Sequence, residues 1–204
     1  SATREVNSKE FLRADEAANA LAKGALKGAR GNSGVILSQI IRGFAKALEN
    51  KEILTVLDIK DAFISAKTTA YRAVMKPTEG TILTVARIAS ERAAMAKSDD
   101  FLITFEAALD GAKEALAETP EMLPVLKKAG VVDSGASGMV YFFEGIIKYL
   151  NGESIEETKY TQEEEYIDLS LFNKDTKFEY GYCIEGLIQL TINLSDFDLK
   201  DFNQ

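Results

Sequence analysis

The sequence predicts a mainly α fold: helices running up and down against one another, followed by the beginning of an α/β domain. Three observations lead there. Between residues 8 and 150, apolar residues recur at helical spacing in one segment after another, each bounded by glycine, proline or a capping residue. Three of those boundaries are rich in glycine and hydroxyl groups and feed straight into an apolar helix. Alternation of period two, the mark of strands, begins only at Phe178.

In chain order, Ser1 to Val6 carry neither a cap nor an apolar pattern and read as a tail, with the first residue an arbitrary boundary. Phe11, Leu12, Ala18, Leu21, Ala22, Ala25 and Leu26 predict a helix from about Ser8 to Lys27, with Ser8 as its cap. Next comes Gly28-Ala29-Arg30-Gly31-Asn32-Ser33-Gly34, opening into a second helix from Ser33 to about Glu49 that is apolar over much of its circumference. Asn32 or Ser33 is its expected cap. A third helix runs from Asp58 to about Met75, and Pro77 in Lys76-Pro77-Thr78-Glu79-Gly80-Thr81 ends it before Ile82 to Ala96 form a fourth. Asp99 or Asp100 caps a fifth, to about Glu118. Thr119 followed by Pro120 reads as the start of a short segment closing at Gly130. The third polar turn, Val131 to Gly138 with Asp133, Ser134 and Gly135, leads into the apolar helix Met139 to Leu150. Three domains of sequence result: 1–150 helical, 151–177 a glutamate-rich solvated linker with an acidic recognition tail as the alternative, and 178–204 the incomplete start of a second α/β domain.

Whether the three turns meet is a question of parity. In an up-and-down bundle every second connection lies at the same end, so the turns at Gly31 and Gly80 share one. The turn at Asp133 joins them only if the segment from Pro120 to Lys128 does not cross. At roughly 13 Å, against roughly 27 Å for an 18-residue helix, it is too short to do so.

Charge singles out the first turn. No Asp or Glu lies between Ala17 and Leu48, while Lys23, Lys27, Arg30, Arg42 and Lys46 do, in a chain of net charge −8. The free amides and dipole of a helix start favour a phosphate there. The plainer alternative is a junction between two helices, and the turn is not a Walker A loop, since no Gly-Lys precedes Ser33-Gly34 at the required spacing.

Composition narrows the chemistry. The chain has 204 residues, 46% of them hydrophobic, no histidine and one cysteine, Cys183. Ser-His and Cys-His catalysis and histidine metal sites are thereby excluded within these residues, as is an internal disulfide. A pI near 4.8 argues against nucleic acid. No apolar run approaches the roughly 18 residues of a membrane span and no signal peptide is visible, so a soluble cytoplasmic protein is expected.

The three motifs, Gly28 to Gln39, Lys76 to Leu83 and Val132 to Gly138, together resemble the nucleotide-binding domain related to the L subunit of dihydroxyacetone kinases, and more closely the ATP-binding subunit of bacterial fatty acid kinases, a DAK-phosphatase-like family. The similarity covers about residues 8–150, and Tyr180-Gly181-Tyr182-Cys183 is similar to the start of that subunit's middle domain. The resemblance implies an antiparallel helical barrel binding ATP with Mg²⁺ at one end. It also implies that the γ-phosphoryl group passes to the carboxylate of a fatty acid held by a separate carrier protein, giving an acyl phosphate. It implies that Gly31, Asn32, Ser33 and Gly34 cradle phosphate, that Gly80, Thr81 and Ile82 lie near the base, and that Asp133, Ser134 and Gly135 close over the nucleotide. Expected partners are ATP or ADP, the lipid carrier and a second copy in a homodimer. Cys183 matches a zinc-ligand position, the alternative being a merely buried thiol. The family's metal-holding Asp-Gly-Asp-Thr-Gly segment has no counterpart in Ser1 to Lys27, which implies that the magnesium ligands are not in these residues and that the chain alone is inactive. The competing readings are a dihydroxyacetone kinase L-type subunit, a nucleotide-binding module without catalysis, and a bundle whose glycines serve only as caps.

Overall fold

A computed structural model describes residues 2–8 and 10–153, and within them all regular structure is helical. The predicted linker and the strands of 178–194, with Cys183, lie outside the described residues. Eight helices follow in order: α1 (Ala2–Val6), α2 (Ala14–Gly28), α3 (Gly31–Ala47), α4 (Val56–Arg72), α5 (Ile82–Met95), α6 (Phe101–Met122), α7 (Pro124–Ala129) and α8 (Ser134–Leu150). Consecutive long helices pack on one another, and α8 packs on α6 and α5.

The mainly α architecture is as expected, while several boundaries move for identifiable reasons. Within the expected tail, Ala2–Val6 form α1 instead, and Glu5 pairs with Lys27 at 2.5 Å. The next helix starts at Ala14 rather than Ser8. Its first amides are taken by carbonyls of the loop after α3, Ala14 N–H to Glu52 at 3.1 Å and Asp15 N–H to Lys51 at 3.1 Å, and Leu12 points into solvent. The third long helix begins two residues before Asp58, because Thr55 is its cap and Asp58 the reciprocal acid of a capping box. Pro120 does not start a helix but lies inside α6. The carbonyl that a proline orphans is that of Leu116, four residues back, and the Thr119 hydroxyl donates to it at 2.8 Å. The short helix begins at Pro124 instead and ends at Gly130 in the left-handed conformation (φ 69°).

The core centres on Phe63, whose ring meets Phe44 edge-on at 5.6 Å, Phe105 at 5.4 Å and Phe143 at 6.0 Å. Around it alanines on α4, α5 and α6 are almost wholly buried, which lets these helices approach closely. Beside Phe63 an apolar cavity of about 160 Å³ runs between α3 and α8, lined by Leu37, Ile41, Phe44, Met139, Phe142 and Ile146 among others. No charged group lines it, so polar chemistry belongs elsewhere.

Candidate functional site at one end of the bundle

A chain of contacts joins the three polar turns at one end. A Cβ on Gly135, in the first turn of α8, would lie 2.7 Å from Ser33 Oγ and 3.1 Å from Ser33 Cβ, so the starts of α3 and α8 abut with no room for a methyl group. The Asp133 amide, just before α8, donates to Thr119 Oγ1 near the end of α6 at 3.1 Å. One turn further along α6, Met122 and Leu123 sit where a Cβ on Gly80 would be, at 2.8 and 2.9 Å. Gly80 is also left-handed (φ 81°), so both space and backbone demand glycine there. The starts of α3, α5 and α8 therefore share a rim, as the parity argument required, with α7 too short to carry the chain across.

The three helix starts are not alike. Thr81 caps α5, its hydroxyl accepting from the Leu83 amide at 3.3 Å and donating to the Thr78 carbonyl at 2.8 Å. Asp133 caps α8, its carboxylate accepting from the Ala136 amide at 2.7 Å. At α3 the cap position falls on Arg30, and no side chain caps the helix. The expected caps Asn32 and Ser33 lie within its first turn, exposed, with Gly31 before them and half-buried Gly34 after. Of the three starts on the rim, α3 alone has a cap residue whose side chain makes no capping bond, and such a start is where an anion gains most.

The basic island around this turn is partly engaged. Lys27 is paired with Glu5, and Arg30 folds back to donate to the Ala29 carbonyl at 2.7 Å, at the closing end of α2. Ser134 is exposed on the rim beside the first turn. Ile82 is not: its side chain is 4% exposed and faces the core, so only its backbone is available to a ligand. Among the described residues no group of three or more His, Cys, Asp or Glu side chains could hold a metal ion.

A network missed by sequence reasoning fixes the second turn. Glu79, immediately before Gly80, accepts from Tyr71 Oη at 2.8 Å, Thr84 Oγ1 at 2.7 Å and Arg87 Nη2 at 3.1 Å, while the Gly80 amide donates to the same Thr84 hydroxyl at 2.8 Å. Partial burial acts to raise the Glu79 carboxyl, but the Thr84, Tyr71 and Arg87 donors outweigh it and hold the group below its ordinary range. Burial and the neighbouring Glu79 push the Tyr71 phenol up to about 12. The signal was present as a glutamate directly before Gly-Thr, but nothing in spacing alone ties it to Tyr71.

A family model described as DAK2 domain matches residues 1–148. Protein YloV of Bacillus subtilis is 39% identical over 214 residues, covering 100% of this chain and 38% of YloV. An uncharacterised protein of Staphylococcus saprophyticus is 40% identical over 93% of the chain and 36% of its own length. One of Staphylococcus aureus strain USA300 is 42% identical over 93% of the chain and 36% of its own length. The chain thus spans little more than a third of the relatives it matches.

Proposed function

Because this chain belongs to the DAK2 domain family, whose relatives are dihydroxyacetone kinase-like, we propose that the rim is the nucleotide seat of a kinase and that the phosphates of ATP lie against the uncapped start of α3. Asn32, Ser33 and Gly34 offer amides and a hydroxyl there, Ser134 and Gly135 close the seat from the side of α8, and the backbone around Gly80, Thr81 and Ile82 forms the remaining edge. The single observation carrying this reading is that three polar turns converge while only one helix start among them lacks a side-chain cap.

The chemistry that ATP supplies is a transferable γ-phosphoryl group. The acceptor is a fatty acid carboxylate on a separate carrier protein. One carboxylate oxygen forms a bond to phosphorus, the bond to the β–γ bridging oxygen breaks, and acyl phosphate and ADP result. What these residues contribute is positioning and neutralisation of phosphate charge, which such a transfer mostly asks for and which needs no histidine. The fatty acid acceptor rests on the resemblance of the three motifs to fatty acid kinase subunits. A dihydroxyacetone acceptor is the alternative that the broader family favours.

Calorimetry of the chain with ATP, with and without Mg²⁺, tests the seat. Asn32→Ala combined with Ser33→Ala is expected to weaken ATP about tenfold, or ~1.4 kcal/mol, with the melting temperature little changed. Unchanged affinity together with a large loss of stability would assign these residues to the architecture alone. In the longer protein, transfer of labelled phosphate to a lipid-loaded carrier, and not to dihydroxyacetone, distinguishes the two acceptors.

A further inference from the structure

On the outer wall of the bundle, the closing half of α4 and the second turn of α5 enclose an open cleft of about 350 Å³ lined by Lys67, Thr68, Tyr71, Arg72 and Arg87. Three cations among five lining residues is a strong local bias in a chain of net charge −8. Two carboxylates offset them in part. Lys67 Nζ lies 3.2 Å from Glu91, while Arg87 lies 3.1 Å from Glu79 and 3.6 Å from Glu91. Among the described residues Arg72 has no carboxylate within ion-pair distance, so one positive charge is in excess.

We propose that this cleft binds a phosphoryl dianion, as inorganic phosphate or as the phosphate of a monoester, at a place separate from the rim. A monocarboxylate would bring nothing that Glu79 and Glu91 do not already supply. A dianion brings a second charge and a tetrahedral set of acceptors. The Arg72 fork can take two of these and Lys67 a third, beside Thr68, whose own hydroxyl donates to the Ile64 carbonyl at 2.8 Å. The volume exceeds that of a bare phosphate, leaving space for a small substituent.

The cleft is coupled to the second turn through Arg87. This side chain also donates to Glu79, which with Thr84 fastens the Gly80 amide. A phosphate that draws Arg87 towards itself weakens that fastening and frees the turn. Neither the site nor the coupling depends on nucleotide binding at the rim.

The test is a titration of the chain with inorganic phosphate and with methyl phosphate at constant ionic strength, chloride making up the balance, followed by amide NMR. Saturable shifts at residues 67–72 and 87 and faster hydrogen exchange of the Gly80 amide are expected. Arg72→Gln should weaken binding about fivefold, while Asn32→Ala with Ser33→Ala leaves it unchanged. Tighter binding of methyl phosphate than of phosphate assigns a monoester as the ligand, and equal binding assigns the free ion. Shifts no different from those given by chloride overturn the proposal, as does wild-type affinity in Arg72→Gln. Phosphate binding that is lost in the Asn32/Ser33 variant but kept in Arg72→Gln moves the ion to the rim, sinking the cleft while leaving the nucleotide seat intact.

Discussion

Thr119 shows how much one hydroxyl can carry. It is wholly buried, donates to the Leu116 carbonyl left over by Pro120, and accepts from the Asp133 amide, so it mends α6 and pins the third turn at once. Thr119→Val keeps the shape and removes both bonds, leaving a carbonyl and an amide without partners. The expected cost is about 1–3 kcal/mol in denaturant unfolding, with faster exchange of the Asp133 amide, and Thr119→Ser should restore most of both. The sequence displayed Thr119-Pro120 as a helix start, since threonine before proline has that local signature. What decided otherwise was the long-range bond to residue 133, invisible to any local pattern.

At the level of elements, α4 is set by its first turn. Lys51 and the Thr55 side chain and amide hold the Asp58 carboxyl far below the usual carboxylate range. A carboxyl whose folded pKa is depressed contributes stability that is complete above its unfolded value near 3.9 and is lost as the pH falls through the folded value. The chain should therefore lose stability on acidification below about pH 4, and Asp58→Asn should be less stable at neutral pH yet flatter below it, as thermal melts across pH would show. Helix identity was legible because apolar residues at helical spacing face a common core. Starts were less so: Ser8 looked like a cap, but the amides of α2 found the carbonyls of Lys51 and Glu52 instead. The Asn32 and Ser33 caps failed in a different way, because the helix begins at Gly31, two residues before the expected start at Ser33, leaving them exposed within it.

For the molecule as a whole, parity and helix length were enough to predict that three turns meet, on the ground that Pro120 to Lys128 is too short to cross; the segment proves shorter still, at Pro124–Ala129. Which start would be left uncapped was not predictable, for it depends on where backbone ends and side chains fall to within one residue. The meeting of Ser33 with Gly135 has a kinetic side as well. Those residues are about a hundred positions apart in the chain, whereas α3 with α4 and α5 with α6 are local hairpins, and closing a long loop comes late when local pairs can form first. Gly43→Ala, which drives a methyl to 2.6 Å from Thr69 and 2.7 Å from the Ser65 carbonyl between α3 and α4, should slow refolding. Gly135→Ala should leave refolding alone and speed unfolding, both being read from stopped-flow chevrons. The part of this protein that would greet a nucleotide is then the last to be tied and the first to come undone, and a bound ligand would act as the knot.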